Sequence, residues 1–385
     1  MGPSKMRGTV PAEVKAHRFI ELDSLRGIAA SVVVFGHFAL IWGATRWYGW
    51  MERSPFRIVF AGHEAVVLFF VLSGFVLSIP LSGDRAPGYG LFLLKRFCRL
   101  YLPYMAAVLA AAICDLLLYS TTRTGNLWID QTWSMRPTLA LVVGHLLTTT
   151  RSVAQLNTAI WSLMVEIRVS IVFPVLLWMV RRARPALWLG MLAVLSGVMP
   201  LLPHGNSMMA LTLSPNHLAL FSVGILLWLH LPAISRFLAG MGGRGRGVVL
   251  LLSLVCVAGP QMLDAWIAKP LPNSIYYLED FVIGAGAAGL IACATQPGRF
   301  RHFLHRPVLV RLGALSYSIY LMHPTVIFIL IRLFYGKFPF YYLLPVYLVG
   351  VYGVAELFHK FVDQPSVMLG RRVGKRPKLG EQAPA

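Results

Sequence analysis

Arg26 and His37 lie 11 positions apart on one apolar segment that opens Leu22-Asp23-Ser24-Leu25-Arg26-Gly27. On a helix that spacing is about 1100° of rotation, within about 20° of a whole number of turns, and a rise of about 16 Å. The two side chains therefore share a face, with the guanidinium at one surface and the imidazole near mid-bilayer. A guanidinium grips phosphate through its planar fork of N–H donors. An imidazole at depth can take the proton of a hydroxyl. The pair suits an elongated donor with a phosphorylated head and a reactive thioester on a flexible arm, both groups lining one slot. A plain interhelical hydrogen bond is the bland reading of His37. Ionisable groups inside a span are costly enough to favour function over it. Arg26 alone would be an interfacial anchor.

Glu166, in Trp161-Ser162-Leu163-Met164-Val165-Glu166-Ile167-Arg168, and His323, in Ser316-Tyr317-Ser318-Ile319-Tyr320-Leu321-Met322-His323-Pro324, fall about half-way along their own apolar segments. Titratable groups at one depth on three helices imply a shared polar cavity. Glu166 either orients one of the histidines or forms an ion pair with Arg168, and both readings stand. His323 precedes a proline, so helping to satisfy a kink is its alternative role. Arg96 and Arg99 are three apart and share a face, which alone is an ordinary basic cluster beside a span. Ser73-Gly74 is a small-residue packing site by default. His63 and Glu64 open the second segment and either touch an acceptor or cap the helix.

The elements that must position these groups follow from composition. The chain has 385 residues, 57% hydrophobic and only 13% charged, too little charge to cover a soluble domain of that size. Apolar stretches long enough to cross roughly 30 Å of hydrocarbon recur along it. The expected fold is an all-α, polytopic membrane bundle of about ten transmembrane helices, near 24–43, 60–80, 100–119, 157–180, 186–203, 208–230, 247–267, 275–295, 311–333 and 341–361. Thr138–Thr150 is too short to cross and is expected to re-enter or lie at the interface. Most Lys and Arg then fall in loops on one side, which puts both termini in the cytoplasm and accounts for a net charge of +20 without nucleic acid. The predicted organisation is a cytoplasmic segment 1–20, a membrane domain 21–365 and a basic, partly disordered cytoplasmic tail 366–385. Cys98, Cys114, Cys256 and Cys293 have no paired spacing and read as small core residues, with no disulfide framework and no metal site.

In order along the chain, Arg26-x10-His37, Phe-Phe-Val-Leu-Ser-Gly-Phe at 69–75, Arg96-x-x-Arg99, Trp-Ser-Leu-x-x-Glu at 161–166 and Ser-Tyr-Ser-Ile-Tyr-Leu-x-His-Pro at 316–324 resemble the acyltransferase type 3 family of bacterial membrane acyltransferases. The resemblance runs from Leu22 to about Gly370. It implies transfer of an acyl group, normally acetyl, from acyl-CoA to a hydroxyl, with His37 catalytic and Arg26, Arg96 and Arg99 binding the donor. Glu166 and His323 join the catalytic set, and Ser73 the donor-binding set. The implied acceptor is a glycan or lipid-linked sugar of the cell envelope, making this a polysaccharide-modifying O-acetyltransferase of the bacterial inner (plasma) membrane. A small secreted metabolite such as a macrolide is the runner-up acceptor. Membrane lipid, a separate extracytoplasmic protein that completes transfer, and further copies of the chain are the other implied partners. Ile167-Arg168-Val169-Ser170 and Asp363-Gln364-Pro365 depart from the family's usual Gln-Phe-Tyr-like and Glu-x-Pro runs. The rival from another class is a transporter without covalent chemistry, against which the chain shows no repeated halves and no matched broken helices.

Overall fold

A computed structural model describes residues 19–41, 45–83, 86–120, 123–149, 154–199, 214–267 and 273–373. The expected segment before residue 19 and the expected tail beyond residue 373 lie outside them. No strand occurs among the described residues. Ten helices make the bundle: α1 Ile20–Leu40, α2 Gly62–Leu81, α3 Tyr89–Leu118, α4 Ile160–Arg182, α5 Pro185–Val198, α6 Pro215–Gly240, α7 Gly242–Ile267, α8 Asn273–Thr295, α9 Pro307–Phe334 and α10 Tyr341–Val373. Nine are long and apolar enough to cross a membrane, and α5 is the shorter apolar one. This is a multi-pass membrane protein. Among the described residues of the 138–150 stretch, 138–149, the helix is Leu139–Leu146. Eight residues rise about 12 Å, too little to cross.

Burial sorts the helices. In its most apolar window α9 is 83% buried, whereas α7 is 11% buried and shows Val248, Leu251, Leu252 and Val255 to the surroundings. The apolar exterior is what lipid requires, and the buried helix is the natural carrier of polar groups. α1 lies directly along α9 because glycines meet at the crossing. A Cβ on Gly27 would stand 2.5 Å from the backbone N of Gly313, and one on Gly313 would stand 2.5 Å from the carbonyl of Asp23. Close backbone approach through small residues is how membrane helices gain packing without a hydrophobic driving force. The Ser73-Gly74 site behaves likewise, with Gly74 against Phe221 of α6.

Two helices carry a single wide turn. α3 passes through a π-turn at Phe97–Tyr101 and α10 through one at His359–Asp363. Such turns insert a residue into the ladder and re-aim neighbouring side chains, often at functional sites. α10 then continues to Val373, so residues 366–373, expected in the tail, are helical. All four cysteines are free.

Candidate active site

A cavity of about 1620 Å³ opens between the first turns of α1, the start of α3 and the end of α10, and runs inward to Phe69, Ser73, Ser162, Glu166 and Tyr320. That exceeds the 300–1,000 Å³ usual for compact ligands and suits a long one. All three sequence-selected arginines line it, with Ser73 and Glu166. Arg26 stands 3.6 Å from Asp23, one turn earlier on the same helix. Arg99 is exposed into the opening and has no hydrogen-bond or ion-pair partner among the described residues.

Glu166 takes a place that neither reading of the sequence offers. It accepts from Nη2 of Arg96 at 2.9 Å and from Oγ of Ser73 at 3.0 Å. It pairs with neither histidine and not with Arg168, whose guanidinium donates to the Thr148 carbonyl. The reason is helix orientation: α4 presents Glu166 to the mouth of α3, where Arg96 also reaches Ser170 Oγ. Glu166 is therefore a strut for Arg96 and does not orient either histidine. With side chains 15% and 17% exposed, the pair lies between surface and fully buried cases. Arg96→Ala should cost about 2 kcal/mol by stranding a carboxylate. The double variant Arg96→Ala/Glu166→Gln should regain most of that in a denaturation midpoint. Additive losses in the double variant would refute the pairing.

His37 and His323 come together on a different level. His37 Nδ1 and His323 Nε2 are 2.7 Å apart, and the rings stack with centroids at 4.9 Å. His323 Nδ1 lies 3.1 Å from the Ile319 carbonyl. A carbonyl only accepts, so His323 carries its proton on Nδ1. With both rings neutral, His323 Nε2 is then an acceptor and His37 Nδ1 must donate to it. His37 is left with a bare Nε2, which has no partner among the described residues. One buried carbonyl thus sets two tautomers in series and leaves an unprotonated nitrogen at the end of the chain. His323 thus holds the His37 ring in one tautomer.

His37 lies near the end of its own helix, which stops at Leu40, and meets His323 in the interior of α9. Trp128 covers that end with its ring centroid 5.4 Å from that of His37. A short helix, Leu127–Asp130, holds the tryptophan there. Asn126 caps it by accepting from the Trp128 and Ile129 amides, and donates to the Leu40 carbonyl. Asp130 accepts from the Thr124 and Gly125 amides. Desolvation opposes ionisation of Asp130, but the Thr124 and Gly125 donors together with the Arg123 charge outweigh it and hold its carboxyl below the usual range.

The single slot expected for Arg26 and His37 is divided. The cavity ends at a layer of side chains that includes Phe69 and Tyr320, and neither histidine lines it. The Tyr320 ring packs edge-on against Phe69 at 5.5 Å on one side and His323 at 5.8 Å on the other. Ser162 donates to the Ala159 carbonyl and therefore accepts from the Tyr320 hydroxyl, which fixes the ring. Sequence reasoning missed Tyr320, Phe69 and Trp128 because aromatic residues in apolar helices carry no chemical signal of their own. His63 and Glu64 cap nothing. His63 meets Asp280 at 2.6 Å and Glu64 accepts from Arg57 at 2.8 Å, in a polar cluster tying α2 to α8 and to the turn before α2.

A family model described as an acyltransferase domain, type 3, matches residues 19–358. "Protein 2 in picA locus" from Rhizobium radiobacter is 38% identical over 107 residues, 26% of this chain and 48% of that protein. "O-acetyltransferase PaAT-1" from Phomopsis amygdali is 31% identical over 112 residues, 24% of this chain and 22% of that protein. The chain thus spans about half the length of the first and about a fifth of the second. No solved structure matches it. With the match covering both histidines, Arg26, Arg96 and Arg99, and nine of the ten helices in full, this chain belongs to the type 3 acyltransferase family.

Proposed function

We propose that the protein transfers an acyl group, normally acetyl, from acyl-CoA to a hydroxyl of a cell-envelope glycan or lipid-linked sugar. The observation that carries this reading is the juxtaposition of a bare imidazole nitrogen with a cation-lined cavity, one aromatic layer apart. In this reading the cavity faces the cytoplasm across a bacterial inner membrane, where the basic loops and both termini lie. The donor's phosphates meet Arg26, Arg96 and Arg99, and its arm passes the Phe69–Tyr320 layer.

The chemistry balances on His37. Its Nε2 removes the proton of the acceptor hydroxyl as the oxygen attacks the thioester carbonyl. The C–S bond breaks, and the departing thiolate takes the proton back from the imidazolium. His323 keeps the first ring in the required tautomer throughout. The acceptor enters from the Trp128 side, so donor and acceptor reach His37 from opposite ends of the bundle.

The test uses the purified protein in nanodiscs with radiolabelled acetyl-CoA and an envelope extract from the source cell. Label should leave the thioester and appear in a base-labile ester on glycan. No thioester loss with any extract would overturn the reading and favour transport. Label in a small soluble product would replace the glycan by a secreted metabolite as acceptor.

A further inference from the structure

We infer that the end of α10 completes the donor site: Lys95, Arg99 and Arg371 form a phosphate-binding rim for the nucleotide end of the donor. This rests on the donor reading above, which already includes Arg99, and adds Lys95 and, beyond the matched segment that stops at 358, Arg371. Five cationic side chains line the cavity, and two are already satisfied, Arg96 by Glu166 and Arg26 by Asp23. Lys95, Arg99 and Arg371 also line it, are exposed, and have no hydrogen-bond or ion-pair partner among the described residues. The remaining lining carboxylate, Asp363, is taken by His359 Nδ1–H at 2.7 Å. Three uncompensated cations around one opening raise a local positive potential that favours an anion of several charges.

Their convergence is built, not incidental. Lys95 and Arg99 are four apart and straddle the start of the π-turn Phe97–Tyr101, which turns both toward the opening. Arg371 lines the same opening because α10 touches α3 at Gly370. A Cβ there would stand 3.0 Å from Cys98 Cβ and 3.8 Å from Lys95 Cα. The second π-turn is held rigid, since His359 donates to Asp363 and accepts from the Gln364 amide at 3.0 Å. Both nitrogens of His359 are thereby used, which makes it a brace for Arg371's helix and not a second base. The Asp-Gln-Pro departure at 363–365 falls in this brace.

Phosphate at such a rim could come from the donor's nucleotide or from an anionic lipid headgroup. The shared cavity with Arg26 and Arg96 favours the nucleotide. The experiment measures coenzyme A and pantetheine binding calorimetrically to protein in phosphatidylcholine nanodiscs, then with phosphatidylglycerol added. Arg371→Ala should weaken coenzyme A binding roughly ten-fold and Lys95→Ala/Arg371→Ala further, with pantetheine unchanged. Arg371→Lys should retain affinity within about three-fold, separating charge from helix packing. Unchanged coenzyme A affinity in the variants, or equal losses for coenzyme A and pantetheine, would overturn the rim. So would an effect seen only with phosphatidylglycerol, which would assign these cations to lipid. If the unsubstituted protein binds no coenzyme A, the donor reading itself has failed, an outcome distinct from any variant result.

Discussion

His37→Ala should lose acyl transfer by about 1,000-fold while binding coenzyme A with unchanged affinity. General-base catalysis by a positioned imidazole contributes about 10²–10⁴-fold, and His37 holds the only nitrogen of the pair left without a partner among the described residues. The donor-side cations lie on the far side of the Phe69–Tyr320 layer, so the affinity should not move. The split between a collapsed kcat and an intact binding constant is therefore diagnostic. His323→Ala should be milder, about 10–100-fold, and should distort the pH profile because the His37 tautomer is no longer imposed. A His37→Ala protein that folds and transfers at the normal rate would remove the proposed chemistry entirely.

The second large effect is mechanical. An Ala in place of Gly normally steadies an exposed helix by about 1 kcal/mol. Gly313→Ala should do the reverse, because the new Cβ would stand 2.5 Å from the Asp23 carbonyl and 2.8 Å from the Ser24 amide. Those are backbone atoms of α1 and cannot swing aside, so the two helices must separate. Overpacking of this kind costs about 1–3 kcal/mol or more, and it stretches the 2.7 Å contact of His37 with His323 on the same two helices. Displacements near 1 Å at reacting groups cost about 10²-fold in rate. Gly353→Ala, where nothing lies within 4 Å of the added carbon, is the control. Thermal midpoint and transfer rate should both fall in the first variant and hold in the second. Identical behaviour of the two would mean that the α1–α9 crossing is not tight.

Both effects show what each level of description carries. Arg26 and His37 are legible because an 11-residue spacing on a continuous helix constrains both side chains whatever surrounds them. The short Thr138–Thr150 segment is legible for the same reason, since length alone decides whether a helix can cross. Glu166 was not legible. Its partner Arg96 lies 70 positions away, and no local periodicity relates α4 to α3. Arg371 was hidden by context, because a basic residue after the last apolar run is the commonest sight in a membrane protein.

By itself, then, the sequence determined the membrane class and the helices. Hydrophobic length and helical pitch are local properties that every neighbour must obey. Only the tertiary structure decided that an aromatic layer of Phe69 and Tyr320 divides the arginine cavity from the histidine pair. It alone decided that the Ile319 carbonyl sets both tautomers, and that Glu166 serves the arginines. Those outcomes depend on which helices touch and at what depth. That is settled by close glycine crossings and the matching of buried polar groups, neither of which has a period along the chain.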